Sequence, residues 1–233
     1  KINLEFISAN PTGPLHLGHT RWAAVGDALG RVLSAAGAEV VREFYINDRG
    51  NQMDLFGQSV QAAALGQPIP EDGYQGEYIA DLAKEVLAEN PEITKLDVEP
   101  RLIAFREAAY KLQLKDQQRV LDTFNTHFDV WFSERSLHDG GSVEHGLDKL
   151  RAQGHVFELD GATWLRTTDF GDDKDRVLLK ANGDLTYFSS DTAYYINKRE
   201  RGFDICIYML GADHHGGFHA AIIRSIRINL FAR

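Results

Sequence analysis

The spacing of apolar residues predicts alternating strands and helices in the first part of the chain. Residues 2–8 alternate between apolar and polar positions and carry β-branched and aromatic side chains, which favours a strand. Apolar residues recurring every three or four positions predict a helix over about 16–36, and Gly37 is placed to end it. The expected buried face of this helix consists of Trp22, Val25, Leu29, Val32, Leu33 and Ala36. A strand over 39–46 and a helix over 50–65 follow, and this order predicts a parallel α/β sheet.

The middle of the chain has a different pattern. Residues 75–89 and 100–127 are predicted to be helices, 128–133 a strand and 142–153 another helix. Residues 155–187 contain short strand-like runs separated by turn sequences with Asp, Asn and Gly, which is typical of antiparallel hairpins. The sequence therefore predicts an insertion that is partly antiparallel.

The last part returns to the first pattern. We expect a helix over 188–201, a buried strand over 204–210 and a final helix over 215–230. The fold class that follows is α/β: a Rossmann-like parallel sheet interrupted by a partly antiparallel insertion.

Composition restricts the class of protein without deciding its function. A chain of 233 residues can form one large domain or two small ones, and 43% hydrophobic residues is ordinary for a soluble protein. No apolar run approaches the roughly 18 residues that a membrane span needs, so no membrane partner is expected. The single cysteine, Cys206, cannot form an internal disulfide, which fits a cytoplasmic protein. The net charge of −9 argues against binding of the nucleic acid backbone by this piece alone.

The strongest candidate site lies between the first strand and the first helix. The segment from Ser8 to His19 is rich in proline and glycine, and it follows the carboxyl end of a strand, where α/β sheets hold ligands. A helix N-terminus there attracts phosphate, and His16 and His19 could stabilise negative charge on phosphate oxygens. We expect Gly18 to leave room for a flat group against the backbone. Two histidines could instead cap the helix or bind a structural metal.

The chain resembles class I arginyl-tRNA synthetases of the bacterial type. His16-Leu17-Gly18-His19 is similar to the His-Ile-Gly-His motif of class I synthetases, and the resemblance spans roughly residues 2–216. It is carried by LEFISANPTGPLHLGHTRWAAVGDALGRVL, Tyr45 to Gln52, Tyr74 to Tyr78, Phe128 to Glu134, Trp164 to Lys180, Tyr187 to Tyr194 and Gly211 to Gly216.

This resemblance implies an arginine–tRNA ligase that uses ATP with Mg²⁺, L-arginine and tRNA(Arg), acting as a monomer. It implies catalytic roles for His16 and His19. It implies ATP binding by Pro11, Gly13, His16, Gly18, His19, Gly211 and Asp213. It implies arginine binding by Glu5, Ser8, Asn10, Tyr187, Asp191 and His214. Asp48 and Gln52 are expected in a loop that faces the substrate.

The resemblance also implies a division of the chain. Residues 1–135 would form the first part of the catalytic core, with a helical insertion over about 66–127. Residues 136–186 would form a connective insertion with hairpins, and 187–233 the second part of the core. No Lys-Met-Ser-Lys-Ser type loop occurs and the first residue is Lys1, so we expect a piece cropped at both ends from a longer protein.

Other interpretations of the same residues remain open. Glu5 could be a solvent-facing strand residue, Asp191 an acid favouring a helix dipole, and Tyr187 a core side chain. The chain could bind arginine or ATP without catalysis, or it could be another nucleotidyl transferase that shares the histidine motif. A cationic amino acid explains the acidic pair best, because a planar guanidinium needs carboxylates and an aromatic face. No protein-bound metal is expected, since His214, His215 and His219 fit no common zinc spacing.

Overall fold

A computed structural model describes residues 1–209, and of Tyr187 it describes the backbone alone. The chain divides into two compact units. Of the described residues, the first unit contains Lys1–Glu5, Leu33–Val41 and 134–209, and the second contains Phe6–Val32 and Arg42–Ser133. The helix expected over 215–230 lies outside the described residues.

The sequence's α/β prediction is confirmed by two sheets of different kinds. Four strands form a sheet in the order β3-β2-β1-β7, and three form an antiparallel sheet in the order β4-β5-β6. The strands of the first sheet are β1 (Ile2–Glu5), β2 (Val40–Ile46), β3 (Val130–Ser133) and β7 (Ile205–Tyr208). The antiparallel strands are β4 (Val156–Leu159), β5 (Ala162–Leu165) and β6 (Arg176–Leu179). The expected hairpins over 155–187 are therefore present.

In the first unit, β1 and β7 run parallel, with Glu5 opposite Tyr208 at their carboxyl ends. The helices α5 (Arg135–Asp139), α6 (Ser142–Ala152) and α7 (Tyr187–Glu200) belong to the same unit. A 3-10 turn, Thr167–Phe170, lies between β5 and β6. The core of this unit is formed by Leu147, Leu150, Leu165, Leu178, Phe188, Tyr195 and Ile196.

In the second unit, β2 and β3 run parallel, with Ile46 opposite Ser133. A helical core joins α2 (Asn51–Ala64), α3 (Glu77–Glu89) and α4 (Val98–Thr123), with a 3-10 turn at Pro91–Lys95. Its buried side chains include Met53, Phe56, Val60, Ile79, Val86, Phe105 and Leu112. The short helix α5 and both 3-10 turns were not predicted, because they are too short to show a helical period.

The first strand is shorter than its sequence pattern predicts. It ends at Glu5, and Ile7 and Ser8 have φ angles of 66° and 46°. Both angles lie in the left-handed region, which a strand cannot contain and which is rare for a β-branched residue. The amide of Ser8 donates to the carbonyl of Phe6 at 2.9 Å, so the chain turns sharply directly after β1.

The helix α1 (Leu17–Ala35) has nearly the predicted bounds, but its buried face was predicted only in part: Trp22, Leu29 and Leu33 are half-buried. Val25 and Val32 are 49% and 64% exposed, whereas Ala23, Gly26 and Gly30 are buried. The reason is the ring of Phe6: a Cβ placed on Gly26 would lie 2.2 Å from its Cδ2 atom. The helix therefore packs closely through its smallest residues. Gly37, with φ 94°, follows the helix end as expected.

The strand predicted over 204–210 is present as β7, but the prediction that it is buried was wrong. β7 is the last strand in the order of its sheet, and Ile205 is 51% exposed. An apolar run with exposed side chains is possible there because one edge of β7 has no neighbouring strand among residues 1–209.

Among residues 1–209, no helix is long and apolar enough to span a membrane.

Candidate active site

The loop between β1 and α1 is held by helices of the second unit. The Tyr78 hydroxyl, on α3, donates to the carbonyl of Thr12 at 3.0 Å. The buried Gln117 Nε2, on α4, donates to the carbonyls of Asn10 at 3.0 Å and Gly13 at 2.8 Å. Because a loop cannot satisfy its own carbonyls with a regular ladder, these three hydrogen bonds define its path. The helical region between β2 and β3 thus shapes the predicted nucleotide loop.

The two histidines adopt a defined arrangement at the start of α1. His16 Nδ1 accepts from the amide of Gly18 at 3.1 Å, and His19 Nδ1 accepts from the amide of His16 at 3.1 Å. Both Nδ1 atoms are acceptors, so a neutral ring carries its proton on Nε2. Burial, followed by the charge of His16, lowers the pKa of His19 and favours its neutral form. Each neutral ring then keeps one N–H donor for a ligand.

The space beside Gly18 differs from the expectation that a flat ligand group would lie there. A Cβ on Gly18 would be 2.9 Å from Cε1 of His16, so the imidazole of His16 itself occupies that space. The ring of His16 accepts the Gly18 amide and so caps the start of the helix, which was the alternative interpretation of the two histidines. Capping does not remove the Nε2 donor, and the two interpretations of this histidine are therefore compatible.

A cavity of about 280 Å³ opens over the loop and the histidines. Its walls are formed by Ala9, Asn10, Thr12, Gly13, Pro14, His16, His19, Tyr74 and Tyr78. Burial, and then the neighbouring Tyr74, raises the pKa of Tyr78 to about 12, so its hydroxyl remains a donor at neutral pH. The sequence analysis assigned no role to Tyr74 and Tyr78. Tyr74 lies before α3, so no helical spacing linked the two rings in the sequence.

Ser8, Asn10, Asp48 and Gln52 are all in the second unit, where they make internal hydrogen bonds. Asn10 Nδ2 donates to Gln52 Oε1 at 2.9 Å, and the Ser8 hydroxyl accepts from the Tyr45 amide at 3.1 Å. The buried Asp48 accepts from Ser133 at 2.5 Å and from Tyr110 at 3.1 Å. The loop after β2 is therefore tied both to the predicted nucleotide loop and to the core of its unit.

In the first unit, an acidic cluster surrounds Asp191 on α7. Its pKa is raised to about 7, first by burial and then by the negative charges of Glu5 and Glu134. Glu5 ends β1 and Glu134 follows β3, so both lie at carboxyl ends of strands, as ligand-binding residues of α/β folds do. Among the described residues, the Asp191 carboxylate makes no hydrogen bond and no ion pair. This cluster would gain most from a ligand that brings positive charge.

Two residues of this cluster were missed by the sequence analysis. Glu134 was quoted only within a similar segment, although its position directly after a parallel strand was a usable signal. Lys198 is fully buried and its Nζ lies 2.5 Å from Oε2 of Glu5. It follows Asp191 by seven residues on α7, a spacing that places both on one face of a helix.

For four predicted site residues the structure describes no side-chain position. Gly211, Asp213 and His214 lie outside the described residues, and the backbone of Tyr187 begins α7. Their predicted roles remain predictions. In the part of the chain that the structure describes, no three His, Cys, Asp or Glu side chains are grouped to hold a metal ion.

The fold and the loop after β1 are those of an α/β nucleotide-binding domain, in which ligands bind at the carboxyl ends of parallel strands. Over residues 1–231 the sequence matches the family described as class I tRNA synthetases (R), catalytic domain. The chain belongs to this family of class I arginyl-tRNA synthetase catalytic domains.

Individual relatives are similar over most of the chain. An arginine–tRNA ligase of Renibacterium salmoninarum is 60% identical over 215 residues, which cover 92% of this chain and 39% of the relative. A solved arginyl-tRNA synthetase structure from Campylobacter jejuni has a TM-score of 0.85 at 36% identity, covering 95% of this chain and 50% of that one. The Thermus thermophilus arginyl-tRNA synthetase has a TM-score of 0.61 at 28% identity, covering 84% and 35%. The chain spans 39% of the length of the curated relatives it matches.

Proposed function

We propose that this chain carries the catalytic core of an arginine–tRNA ligase. In the first step, a carboxylate oxygen of L-arginine attacks the α-phosphorus of ATP, and the bond to the bridging oxygen breaks with release of pyrophosphate. In the second, a ribose hydroxyl at the 3′ end of tRNA(Arg) attacks the carbonyl carbon of the adenylate, loses its proton and takes the arginyl group, and the bond to the phosphate breaks with release of AMP. The observation that carries the proposal is Asp191, a carboxylate without a partner among the described residues and close to two further acids.

The acidic cluster suits a guanidinium better than an uncharged side chain. A guanidinium keeps its charge at all physiological pH values and offers five N–H donors in a fixed plane. Its approach would favour the ionised form of Asp191, which burial and neighbouring acids now disfavour. We assign the side chain of arginine to Asp191 and Glu5, with the ring of Tyr187 packing against it. Ser8, Asn10 and His214 are proposed to hold the α-ammonium and carboxylate end.

The cavity over the loop suits the phosphates of ATP. Nε2–H groups of His16 and His19 would donate to oxygens that become more negative as the α-phosphorus is attacked. Pro11, Gly13 and Gly18 would shape the loop around the nucleotide, while Gly211 and Asp213 would hold the adenosine. Asp48 and Gln52 would support the loop from the neighbouring strand. Mg²⁺ would arrive with the nucleotide, held mainly by phosphate oxygens and water.

The partners and the setting follow from the same proposal. The ligands are L-arginine, ATP with Mg²⁺ and tRNA(Arg), and the protein is expected to act as a cytoplasmic monomer. A chain with a net charge of −9 needs basic patches or further domains to hold tRNA, because backbone binding depends on positive charge.

Calorimetric titration of L-arginine, L-lysine and L-citrulline tests the proposal directly. Citrulline has nearly the shape of arginine and no charge, so only arginine should bind if the carboxylates recognise the cation. Asp191→Asn should abolish arginine binding, while Asp148→Asn, a surface change on α6, should leave it intact. Equal binding of citrulline, or no binding of arginine to the folded chain, would contradict the proposal.

A further inference from the structure

A lysine is fully enclosed within the acidic cluster of the first unit. Lys198 Nζ pairs with Glu5 Oε2 and lies 4.3 Å from the ring centre of Tyr194 and 3.9 Å from that of Tyr208. Its side chain has no exposed surface. Burying an ammonium group costs free energy unless a counter-ion and polarisable neighbours compensate it, so this position carries a charge at some expense to stability.

Two donors on α7 fix the orientation of the Glu5 carboxylate. Tyr194 Oη donates to Oε2 of Glu5 at 3.0 Å, and Lys198 donates to the same oxygen. Tyr194 and Lys198 are four residues apart on α7, so one face of the helix supplies both donors. A carboxylate held at one oxygen by two donors from a rigid helix cannot rotate without breaking both hydrogen bonds.

The charged groups around Asp191 show how Lys198 affects the acidic cluster. Among the described residues, the acids of the cluster are Glu5, Glu134 and Asp191; Lys198 pairs with Glu5, and His138 Nε2 lies 3.9 Å from Glu134 Oε1. Without Lys198, two buried acids would compete with Asp191 for protons, and a ligand cation would first have to drive those protons off. With Lys198 in place, Glu5 has its own counter-ion before any ligand binds.

We propose that Lys198 is a positioning and specificity-determining residue of the arginine site, which holds Glu5 ionised and in one orientation so that the cluster accepts a single further cation. This inference rests on the proposed function, because it assigns the cluster to the arginine side chain. Lys198 acts through Glu5 and does not contact the reacting atoms.

The test compares Lys198→Met, which keeps the length of the side chain, with Lys149→Met, a matched change in the ion pair of Lys149 with Glu200 at the surface. Arginine is titrated calorimetrically in two buffers of different ionisation enthalpy, which gives both the Kd and the number of protons released. We expect Lys198→Met to raise the Kd for arginine at least tenfold and to release additional protons, because Glu5 must then ionise on binding. Lys149→Met should match the unchanged chain in both quantities.

A second readout requires no arginine. Carboxyl ¹³C NMR of glutamate-labelled chain, with Glu5 assigned through Glu5→Gln, reports protonation in the free protein. The Glu5 signal should move toward that of a neutral carboxyl at pH 7 in Lys198→Met and should stay in place in Lys149→Met. An unmoved Glu5 signal in Lys198→Met would overturn the inference, even if arginine binding were weakened.

The remaining outcomes separate the inference from the proposed function. If the unchanged chain is folded and binds no arginine, the proposed function fails, and the NMR comparison still decides whether Lys198 controls Glu5. If it binds arginine and Lys198→Met binds equally with the same proton release, only the inference fails. If Lys198→Met does not fold, the double variant Glu5→Gln with Lys198→Met decides: recovery of the fold supports the coupling, and continued loss overturns it.

Discussion

The imidazole rings of His16 and His19 lie with their centres 3.8 Å apart and their planes inclined by 30°. Each ring uses Nδ1 to accept a backbone amide at the start of α1. Stacked rings of this kind disfavour two positive charges, and the lowered pKa of His19 has the charge of His16 as its second cause after burial. The helix start thus presents His19 with its neutral form favoured, and its Nε2–H can donate to a developing negative charge.

Replacing His19 by two different amides should separate its structural and chemical roles. The amide oxygen of Asn can take the place of Nδ1, whereas the longer Gln can place its amide near Nε2. We expect His19→Asn to keep the free energy of unfolding nearly unchanged and to lower arginine-dependent pyrophosphate exchange by roughly 10²-fold or more. His19→Gln should retain more activity and lose more stability. The opposite order would contradict the assignment of the proton to Nε2.

The raised pKa of Asp191 should make stability depend on pH in a defined direction. Its ordinary value is 3.8 and its value in the fold is about 7, so the folded chain binds this proton more tightly than the unfolded chain. The stabilising contribution is complete below about pH 4 and is lost as the pH rises through 7. Urea unfolding of the ligand-free chain should show a decline on the order of 4 kcal/mol from this group. Asp191→Asn should flatten that part of the profile, and Asp148→Asn should not.

Arginine affinity should follow the same group with the opposite sign. A guanidinium binds to the ionised form of Asp191. Below pH 7, each decrease of one pH unit lowers the fraction of ionised Asp191 nearly tenfold. We expect the Kd for arginine to fall as the pH rises from 5.5 to 7 and to become constant above about pH 8. Calorimetry across this range measures it. A Kd that rises with pH would exclude Asp191 as the group that receives the cation.

Gln117 should control the loop that the histidines follow. It is fully buried, and its Nε2 is shared between the carbonyls of Asn10 and Gly13. Gln117→Leu leaves both carbonyls without this donor, so we expect a loss of about 1–3 kcal/mol in the free energy of unfolding and weaker binding of ATP. Gln113→Leu is the matched control, because Gln113 is buried on the same helix and donates no hydrogen bond to the loop. Equal effects of the two changes on ATP binding would refute this role.

The sequence predicted secondary structure better than it predicted which faces are buried. Most helices lie within a few residues of their expected bounds, because apolar periodicity depends on neighbouring residues. The buried face of α1 was predicted only in part, since the pattern missed its buried glycines: glycines contribute nothing to an apolar pattern although they allow the closest packing. The turn at Ile7 and Ser8 was also missed, because neither residue type favours the left-handed region that the chain adopts there.

The candidate site shows the same limit over longer distances. Glu5 and Asp191 were assigned together only through resemblance to a family, since 186 positions separate them and no local pattern joins them. Lys198 was overlooked because lysine is ordinarily exposed, and only the folded chain shows that it pairs with Glu5. Predicting such a pair from physical principles requires the sheet register that places Glu5 opposite Tyr208.

The close packing of α1 leads to the last prediction, which uses two glycines of the same helix. A Cβ on Gly26 would lie 2.2 Å from the ring of Phe6, a core side chain that is itself held 4.5 Å from the ring centre of Phe128. A Cβ on Gly30 would meet the guanidinium of Arg42 at 2.9 Å, which is the far end of a long side chain and can move.

Gly26→Ala should therefore lower the free energy of unfolding by about 1–3 kcal/mol, because the core around Phe6 has to shift. Gly30→Ala should be close to neutral, since the helix propensity gained from alanine, up to about 1 kcal/mol, offsets the displacement of Arg42. Urea unfolding of the two variants in parallel measures the difference. If Gly26→Ala is as stable as Gly30→Ala, the ring of Phe6 can move away from α1 at little cost, and the close packing at Gly26 does not contribute to stability.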